Sequence, residues 1–285
     1  MILVADSGSS KTDWILSLPE NKKITFRTAG INPFFWPEKE IVKLLNTVPE
    51  VQTYHKQVTE IYFFGAGCSS PDRREIISNA LSSVFPLAFV NADSDLLGSA
   101  YATCGSSSGL TCILGTGSNI SFYNGHEIID GKHGLGYILG DEGSGTFFGK
   151  KLISGFLYGL MPEDLHRAFE ESYQLTKEDV IQNLYQKPSP NFYLAAFSKF
   201  MSNNYEHPYI KELLYQGFQE FVKTNIQSYP DFSKHTCHFV GSLAFHFQEE
   251  LRRVCQDNDV IVGKILKHPI DDLFDYILLR ETNNA

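Results

Sequence analysis

The segment "MILVADSGSSKTDWILSL" (residues 1–18) decides the fold, because it contains two strands and the turn between them. Five apolar residues lead to Asp6, and a run of small and hydroxylated residues (7–10) precedes Lys11 and Thr12. The polarity then alternates over 12–18 and, after a turn at "PENKK", over 24–29, as in half-buried strands. The pattern predicts a three-stranded antiparallel meander whose first strand ends at an aspartate.

The chain from this meander to about residue 104 predicts alternating helices and strands. Ser70 and Pro71 are typical of a helix start, with a cap residue followed by proline in the first turn. The predicted order is β-β-β-α-β-α-β-α. Its later elements are a helix in "EKEIVKLLNTV" (38–48), a strand in "VTEIYFFGAGC" (58–68), a helix in 70–85, and a strand that runs through aspartates into a helix in "LAFVNADSDLLGSAYATC" (87–104).

The meander recurs in "LTCILGTGSNISFYNGHEIIDGK" (110–132), which predicts a buried strand, a Gly-Thr-Gly-Ser turn, a second strand, an Asn-Gly turn and a third strand. The recurrence indicates internal duplication, and 285 residues suffice for two lobes. We expect one lobe from 1–106, completed by a helix over 269–285, and a second from 107–268 with a helical insertion at 147–229. A strand, a Gly-Ser turn and a helix are predicted within 235–254.

Composition and charge limit the binding partners and the cellular location that we expect for the protein. Basic residues number 24 and acidic residues 33, for a net charge of -9, and no segment concentrates lysine or arginine, so we expect no nucleic-acid partner. No signal-peptide core precedes Asp6 and no long apolar run follows, which predicts a soluble cytoplasmic protein without membrane contact. The five cysteines form no C-x-x-C pair; buried thiols are expected rather than a disulfide framework, a zinc site or an iron–sulfur site.

Glycine–serine turns at Gly8-Ser9, Gly117-Ser118 and Gly241-Ser242 each follow a predicted strand. Such turns present backbone N–H groups at close range, and these suit phosphate oxygens. One turn alone is more often a tight hairpin, whereas three together favour phosphate binding. The chain has no Walker A motif, since Ala5 and Ser10 stand where that motif needs glycine, and no G-x-G-x-x-G sequence lies at a strand–helix junction.

The motifs resemble, in order, those of the N-acetylglucosamine kinase and BadF-type ATPase family of the actin, Hsp70 and sugar kinase superfamily. The motifs are DSGSSKT (6–12), GTGSN (115–119), GLG (134–136), GDEGS (140–144) and VGS (240–242). The resemblance implies an α/β fold of two RNase H-like (actin-like ATPase) lobes with a central ATP and sugar cleft. It also implies an ATP-dependent kinase, a homodimer in many relatives, that phosphorylates the 6-hydroxyl of N-acetylglucosamine or a related hexosamine.

The same resemblance implies roles for individual residues. Asp6 matches the acid that holds Mg²⁺, directly or through water, and Asp95 matches the catalytic base; Asp93, two residues earlier, is its rival. The positions that match ATP and phosphate contacts are Gly8, Ser9, Ser10, Lys11, Thr12, Gly115, Thr116, Gly117, Ser118, Gly241 and Ser242, with Ala244 as a further candidate. The positions that match sugar contacts are Asn32, Asp95, Gly134, Leu135, Gly136 and Asp141.

Other interpretations stay open at this point. A BadF-type activator that passes electrons to a partner enzyme would need cysteines at a dimer interface, and the scattered cysteines argue against it. A sensing module would keep the fold without the reaction. The first turn carries serines where the family usually has D-G-G-G-T, and Asp272 stands where relatives often carry glycine. The aromatic run 34–36 could stack on a sugar, but closure of a loop over the core is the more common role.

Overall fold

The computed structural model describes residues 1–8, 10–129 and 134–284. Its first nine elements alternate as predicted, with one additional short helix, α2. They are β1 (Ile2–Ser7), β2 (Lys11–Ser17), β3 (Lys23–Ala29), α1 (Glu38–Asn46), α2 (Pro49–Tyr54), β4 (Glu60–Gly65), α3 (Pro71–Val84), β5 (Phe89–Ser94) and α4 (Asp95–Cys104).

These strands form a five-stranded sheet in the order β3-β2-β1-β4-β5. Strands β1, β2 and β3 pair antiparallel, whereas β4 lies parallel to β1 and β5 lies parallel to β4. The predicted meander is therefore confirmed. Helix α3 follows Ser70 and has Pro71 in its first turn, which confirms the predicted start.

The two faces of this sheet differ because side chains alternate along each strand. Leu3, Ala5 and Trp14 enter a buried cluster, to which helices α1–α3 contribute residues such as Ile41 and Ile77. Asp6 and Asp13, at the positions of opposite parity, belong to the other face. The meander thus carries its carboxylates on the face that lacks the main apolar cluster.

Helix α4 packs closely against β4 on account of a glycine. A Cβ atom on Gly98 would lie 2.7 Å from the Cβ of Phe64, a distance that real Cβ atoms do not adopt. The side chain of Ser94 caps the helix by accepting from the amide of Leu97 at 3.3 Å. Glycine and cap together fix where Asp95, the first helical residue, lies relative to the sheet.

The remaining strands and helices follow in chain order. They are β6 (Gly109–Leu114), β7 (Ser118–Tyr123), α5 (Gly136–Leu139), α6 (Gly145–Leu157), α7 (Glu163–Tyr173), α8 (Lys177–Tyr185), α9 (Pro190–Ala196), α10 (Ser198–Asn203), α11 (Pro208–Thr224), β8 (Thr236–Val240), α12 (Ser242–His246), α13 (Gln248–Asp257), β9 (Ile261–Leu266) and α14 (Ile270–Asn284). Two short 3-10 helices, Ile226–Ser228 and Phe232–Lys234, precede β8.

The second sheet has the order β7-β6-β8-β9, in which β8 lies parallel to β6 and β9 parallel to β8. The order repeats β2-β1-β4-β5 of the first sheet, so the predicted internal duplication is confirmed at the level of strand order. The expected third strand of the second meander is not formed by the described residues 126–129, and the rest of its predicted span, 130–132, lies outside the described residues. The Asn124 side chain accepts from the amides of His126 and Glu127, and after this turn only Ile128 forms an isolated bridge, to Tyr123.

Strand β9 was not predicted, because Gly263 and Lys264 interrupt its apolar pattern. The structure explains the glycine: a Cβ atom on Gly263 would lie 2.6 Å from the imidazole of His238. Nδ1 of that histidine accepts from the amide of Lys264 at 3.0 Å. Because glycine makes room here for a histidine on the neighbouring strand, the sequence lacks the alternation of apolar and polar residues that would reveal β9.

Contacts divide the described residues into two compact units. One comprises the described residues of 1–108, 123–129 and 268–285, and the other those of 109–122 and 130–267. Helix α14 returns to the first unit and packs against α4, β1 and β2. All five cysteines are buried, as expected. None of the helices in the described part of the chain has both the length and the apolar character required to cross a membrane.

Candidate active site

Asp6, Asp13 and Arg27 occupy directly opposed positions on β1, β2 and β3 of the first unit. Asp13 accepts from Lys11 Nζ on Oδ2 and from Arg27 Nε on Oδ1, each at 2.6 Å. Burial alone would raise the pKa of Asp13, but the hydrogen bonds from Lys11 and Arg27 outweigh it and hold that pKa below its usual range. Asp13 is therefore an ionised, doubly paired neighbour of Asp6.

The Asp6 carboxyl group has no such pairing. Burial, together with the nearby negative charges of Asp95 and Asp13, raises its pKa to about 7 against an opposing effect of Lys11. Within the described residues no hydrogen-bond donor reaches this carboxylate. An unpaired carboxylate among other carboxylates fits a hard cation, which prefers oxygen ligands and would offset the repulsion.

The carboxylates near Asp6 suit a Mg²⁺ ion that is bound together with substrate phosphates, rather than a metal ion enclosed by protein ligands alone. Among the residues that the structure describes, no group of three or more His, Cys, Asp or Glu side chains could enclose a metal ion. Magnesium is commonly bound through one or two carboxylates, with substrate phosphates and water completing its coordination. Asp6 could hold such an ion in that manner.

The first turn is closed by a hydrogen bond from the amide of Gly8 to the carbonyl of Lys11 at 3.0 Å. Ser9 lies outside the described residues, and Ser10 is exposed. Thr12 is fully buried; its hydroxyl lies 2.8 Å from that of Ser7 and donates to the carbonyl of Ala29 at 3.1 Å. The Thr12 hydroxyl thus holds the protein together here, and its side chain offers no free donor to a phosphate.

These buried hydroxyls also place Asn32. The amide of Ile31 donates to Ser7 Oγ at 3.0 Å, and Ser7 Oγ donates to the Ile31 carbonyl at 2.8 Å. Oδ1 of Asn32 accepts from the amide of Phe34 at 2.9 Å, which leaves the side-chain nitrogen for another partner. Gly67 approaches so closely that a Cβ atom there would lie 2.4 Å from Asn32 Oδ1. This glycine has φ +87°, and the sequence did not predict a role for it.

The aromatic run after Asn32 divides into two parts. Trp36 packs against the core of the first unit, as expected for a loop that closes over it. Phe34 and Phe35 are 60% and 66% exposed, so for them that expectation is wrong. The guanidinium of Arg73 lies 4.1 Å from the centre of the Phe34 ring and supports it from one side.

The two candidate bases differ in their partners. Asp93 accepts from Arg74 Nη1 at 3.2 Å and from the amide of Ser94 at 2.6 Å. Asp95 Oδ1 accepts from the amide of Leu96 at 3.0 Å. Burial raises the pKa of Asp95 to about 6, against the lowering effect of backbone amides. Asp93 is committed to an ion pair, whereas Asp95 is a carboxylate with a pKa close to neutral.

In the second unit the turn 115–118 is bonded to the start of helix α6. The amide of Gly115 donates to the carbonyl of Gly117 at 3.0 Å and closes the turn. The amides of Gly145 and Thr146 donate to the carbonyls of Gly115 and Thr116 at 2.8 and 3.0 Å. The turn is thereby fixed to a helix that Ser144 caps through the amide of Phe147.

Asp141 lies against this turn. The amide of Ser118 donates to its Oδ1 at 3.1 Å and the Thr146 hydroxyl to its Oδ2 at 3.3 Å. Burial raises the pKa of Asp141, while those two hydrogen bonds lower it. Gly117 makes the close approach possible, because a Cβ atom there would lie 2.9 Å from Asp141 Oδ2. The backbone of Asp141 is left-handed, with φ +61°.

The other predicted contact residues of the second unit lie at or beside glycines that have positive φ angles. Gly134 has φ +85°, and a Cβ atom there would lie 2.8 Å from Asn119 Nδ2. Leu135 is exposed and Gly136 begins α5. Gly241, with φ +123°, lies so close to β6 that a Cβ atom would be 2.3 Å from the Leu114 carbonyl oxygen.

The start of α12 therefore lies beside the turn at 115–118. Ser242 is the first residue of α12, and Ala244 within the helix is buried. The second unit thus brings Gly115–Ser118, Asp141 and Gly241 together, and the first unit brings Asp6, Asp95 and Lys11 together. Asp13, Arg27 and Thr146 support these groups and were not predicted. A hydroxyl so soon after Asp141 was a visible signal for Thr146, whereas Arg27 is revealed only by strand register.

No family model matches the chain, and no curated protein matches it significantly. Solved structures do match. The crystal structure of the "putative N-acetylglucosamine kinase" from Porphyromonas gingivalis is 40% identical, covers 97% of this chain and 98% of its own, and has a TM-score of 0.91. At that identity and coverage the two proteins share a family.

Two more distant structures share the fold. The "putative N-acetylglucosamine kinase" from Chromobacterium violaceum is 15% identical over 96% of this chain and 98% of its own, with a TM-score of 0.69. A ROK family glucokinase from Streptomyces griseus, solved with glucose and AMPPNP, is 12% identical over the same shares, with a TM-score of 0.59. The predicted fold class is confirmed. By its similarity to the Porphyromonas gingivalis protein, the chain belongs to the N-acetylglucosamine kinase family, with the actin-like ATPase fold of sugar kinases.

Proposed function

We propose that this protein transfers the γ-phosphate of MgATP to the 6-hydroxyl of N-acetylglucosamine or a related hexosamine. Membership of a sugar kinase family makes it a phosphotransferase with an alcohol group as acceptor. The observation that carries the transfer chemistry is the contrast between Asp93, paired with Arg74, and Asp95, which accepts from a backbone amide and can serve as the base.

Asp95 is the proposed general base. A base must be ionised at the working pH and must accept the hydroxyl proton as the oxygen attacks phosphorus. With a pKa of about 6, Asp95 is mostly ionised at neutral pH and still basic enough to take up that proton. Asp93 is already paired with Arg74, so a proton on it would break an ion pair.

Asp6 would hold Mg²⁺, which offsets the negative charge of the phosphates when it is bound. The amides of Gly8, Gly115 and Ser118 already bond within the protein. The amides of Ser10, Thr116 and Gly117 in the same two turns would donate to phosphate oxygens, since glycines leave the approach open. Gly241 and Ser242 are assigned to the adenosine. Ser9 is assigned here by motif alone.

Sugar binding is assigned to groups that orient hydroxyls. Asn32 has a side-chain nitrogen left over from its turn, and Asp141 presents a carboxylate that can accept from adjacent hydroxyls. The segment 134–136, with two glycines at positive φ, would supply backbone contacts. Removal of water around these groups would favour transfer to the sugar over hydrolysis of ATP.

The test is a reaction of purified protein with MgATP and a panel of amino and neutral sugars, in which ADP and sugar phosphate are measured together. We expect equal amounts of both with N-acetylglucosamine. ADP release without sugar phosphate on any acceptor would refute the kinase assignment and favour an ATPase.

The alternatives named from the sequence gain no support. The kinase relative at 40% identity does not favour a BadF-type activator, and all five cysteines are buried, which does not suit ligation of a cluster at a shared surface. A sensing module would not need a carboxylate such as Asp95 with a near-neutral pKa.

Cytoplasmic location and a homodimer belong to the same proposal. Both are supported by the family resemblance. Light scattering on the purified protein would give about twice the chain mass of 32.1 kDa for the dimer.

A further inference from the structure

The carboxylate of Asp13 is shared by two cations from different parts of the meander. Lys11 Nζ bonds to Oδ2 and Arg27 Nε to Oδ1, each at 2.6 Å. The Asp13 side chain is only 11% exposed. A carboxylate so far from water is strongly destabilising when it loses its last partner, because its charge is then uncompensated.

Lys11 is drawn back from the phosphate turn by this contact. It is the first residue of β2 and directly follows the turn, yet its ammonium lies at Asp13, two residues further along the strand. Nδ1 of His268 is 3.1 Å from the same ammonium. A nucleotide phosphate at the turn would therefore compete with Asp13 for Lys11.

We propose that the Lys11 ammonium passes from Asp13 to a nucleotide phosphate when ATP binds, and that Arg27 is the positioning residue that permits this exchange by keeping Asp13 paired. The inference rests on the proposed function, since it requires nucleotide phosphates at the first turn. It assigns to Arg27 an effect on ATP affinity without any contact to ATP.

Arg27 is suited to this role by its position and its chemistry. It lies directly opposite Asp13 in the β2–β3 register, and its side chain is 60% exposed. Its guanidinium stays charged at any physiological pH and can bond both oxygens of a carboxylate once Lys11 has left. An unpaired Asp13 would also add to the repulsion at Asp6, its neighbour across β1–β2.

The test measures binding by calorimetry on the full chain, with two probes: MgATP and adenosine, which lacks phosphates. Arg27→Gln should weaken MgATP binding about tenfold and adenosine binding less than about twofold. Arg27→Lys should restore most of the MgATP affinity. In an Asp13→Asn background Arg27→Gln should change MgATP affinity less than about twofold, because no buried charge then needs the arginine.

Lys23→Gln is the matched control. Lys23 is an exposed cation on the same strand, paired with Asp271, so its loss changes the net charge equally without touching Asp13. We expect MgATP affinity to be unchanged in this variant. Thermal unfolding of each variant shows whether it is folded. If Arg27→Gln is not folded, Arg27→Lys keeps the test decisive.

Three results would overturn the exchange: no loss of MgATP affinity in Arg27→Gln, an equal loss for adenosine, or the same loss in the Asp13→Asn background. A wild-type protein that binds no MgATP would overturn the exchange and the kinase assignment together. A protein that shows the expected binding pattern but phosphorylates no sugar would refute only the kinase assignment. Sugar phosphorylation with an unaffected Arg27→Gln variant would refute only the exchange.

Discussion

The backbone amide of Ser118 donates to Oδ1 of Asp141 at 3.1 Å, so one hydrogen bond joins the turn assigned to phosphates to the carboxylate assigned to the sugar. Thr146 completes the arrangement, since its hydroxyl donates to Oδ2 of Asp141 while its amide bonds to the carbonyl of Thr116. Residues assigned to different substrates are thereby hydrogen-bonded to one another at the start of α6.

The first prediction concerns Thr146→Val, which removes the hydroxyl and keeps the size of the side chain. Asp141 then loses one of the two hydrogen bonds that orient its carboxylate, and we expect KM for the sugar to rise about fivefold, corresponding to about 1 kcal/mol. The Kd for MgATP should change less than about twofold, because the amide of residue 146 still bonds to Thr116. Steady-state kinetics and calorimetry measure the two constants.

Thr53→Val is the matched control, because the Thr53 hydroxyl bonds to the Pro49 carbonyl within its own helix in the other unit. It should leave both constants unchanged. Equal changes of sugar KM in the two variants would show that Thr146 has no special relation to Asp141.

The second prediction concerns the base. Asp95→Asn should lower kcat by about 10²- to 10⁴-fold, the usual contribution of a general base, while MgATP binding changes little. In the wild-type enzyme kcat/KM for the sugar should rise with pH through about 6, the pKa of Asp95, since only the ionised carboxylate accepts a proton. Initial rates at sugar concentrations well below KM across this range provide the check.

Asp93→Asn separates the two carboxylates. It breaks the ion pair with Arg74 but keeps an oxygen for the amide of Ser94. We expect a loss of kcat below about tenfold and an unaltered acid limb. If this variant is the one that loses activity and Asp95→Asn retains it, the two roles are exchanged.

The third prediction is that Asp95→Asn stabilises the unliganded protein. The pKa of Asp95 is raised in the folded state, from 3.8 to about 6, so the stability linked to the protonated form is lost as the pH rises through about 6. An asparagine cannot ionise, and the variant should gain about 3 kcal/mol near pH 8 and much less near pH 4. Chemical denaturation without Mg²⁺ or nucleotide measures the difference; a gain that does not depend on pH would contradict the assigned cause.

The features that depend on neighbouring residues alone could be predicted from the sequence. The hairpin at 1–18, the start of α3 at Ser70 and the turn at 115–118 all follow from short-range rules of alternation and capping.

The features that could not be predicted from the sequence depend on contacts between distant segments. Arg27 reaches Asp13 only through the β2–β3 register, and β9 is hidden because Gly263 yields its space to His238. The choice between Asp93 and Asp95 likewise needed the position of Arg74, which lies on another helix. Long-range pairing, rather than residue type, separates the supporting residues from their neighbours.

The fourth prediction tests the close approach of α12 to β6. In Gly241→Ala the new Cβ would lie 2.3 Å from the Leu114 carbonyl oxygen and would require φ +123°, so backbone must move. We expect a loss of more than about 2 kcal/mol of unfolding free energy, because strain and clash act together. MgATP affinity should also fall, since Leu114 leads directly into the turn 115–118.

Gly159→Ala is the matched control, because Gly159 also has a positive φ, +67°, but a Cβ atom there would meet nothing within 4 Å. It should lose only about 1 kcal/mol, the cost of the left-handed backbone for alanine, and keep its MgATP affinity. Denaturation curves and calorimetry on both variants separate the two contributions. An equal loss of stability in the two variants would show that backbone conformation alone, and not contact with β6, requires glycine at position 241.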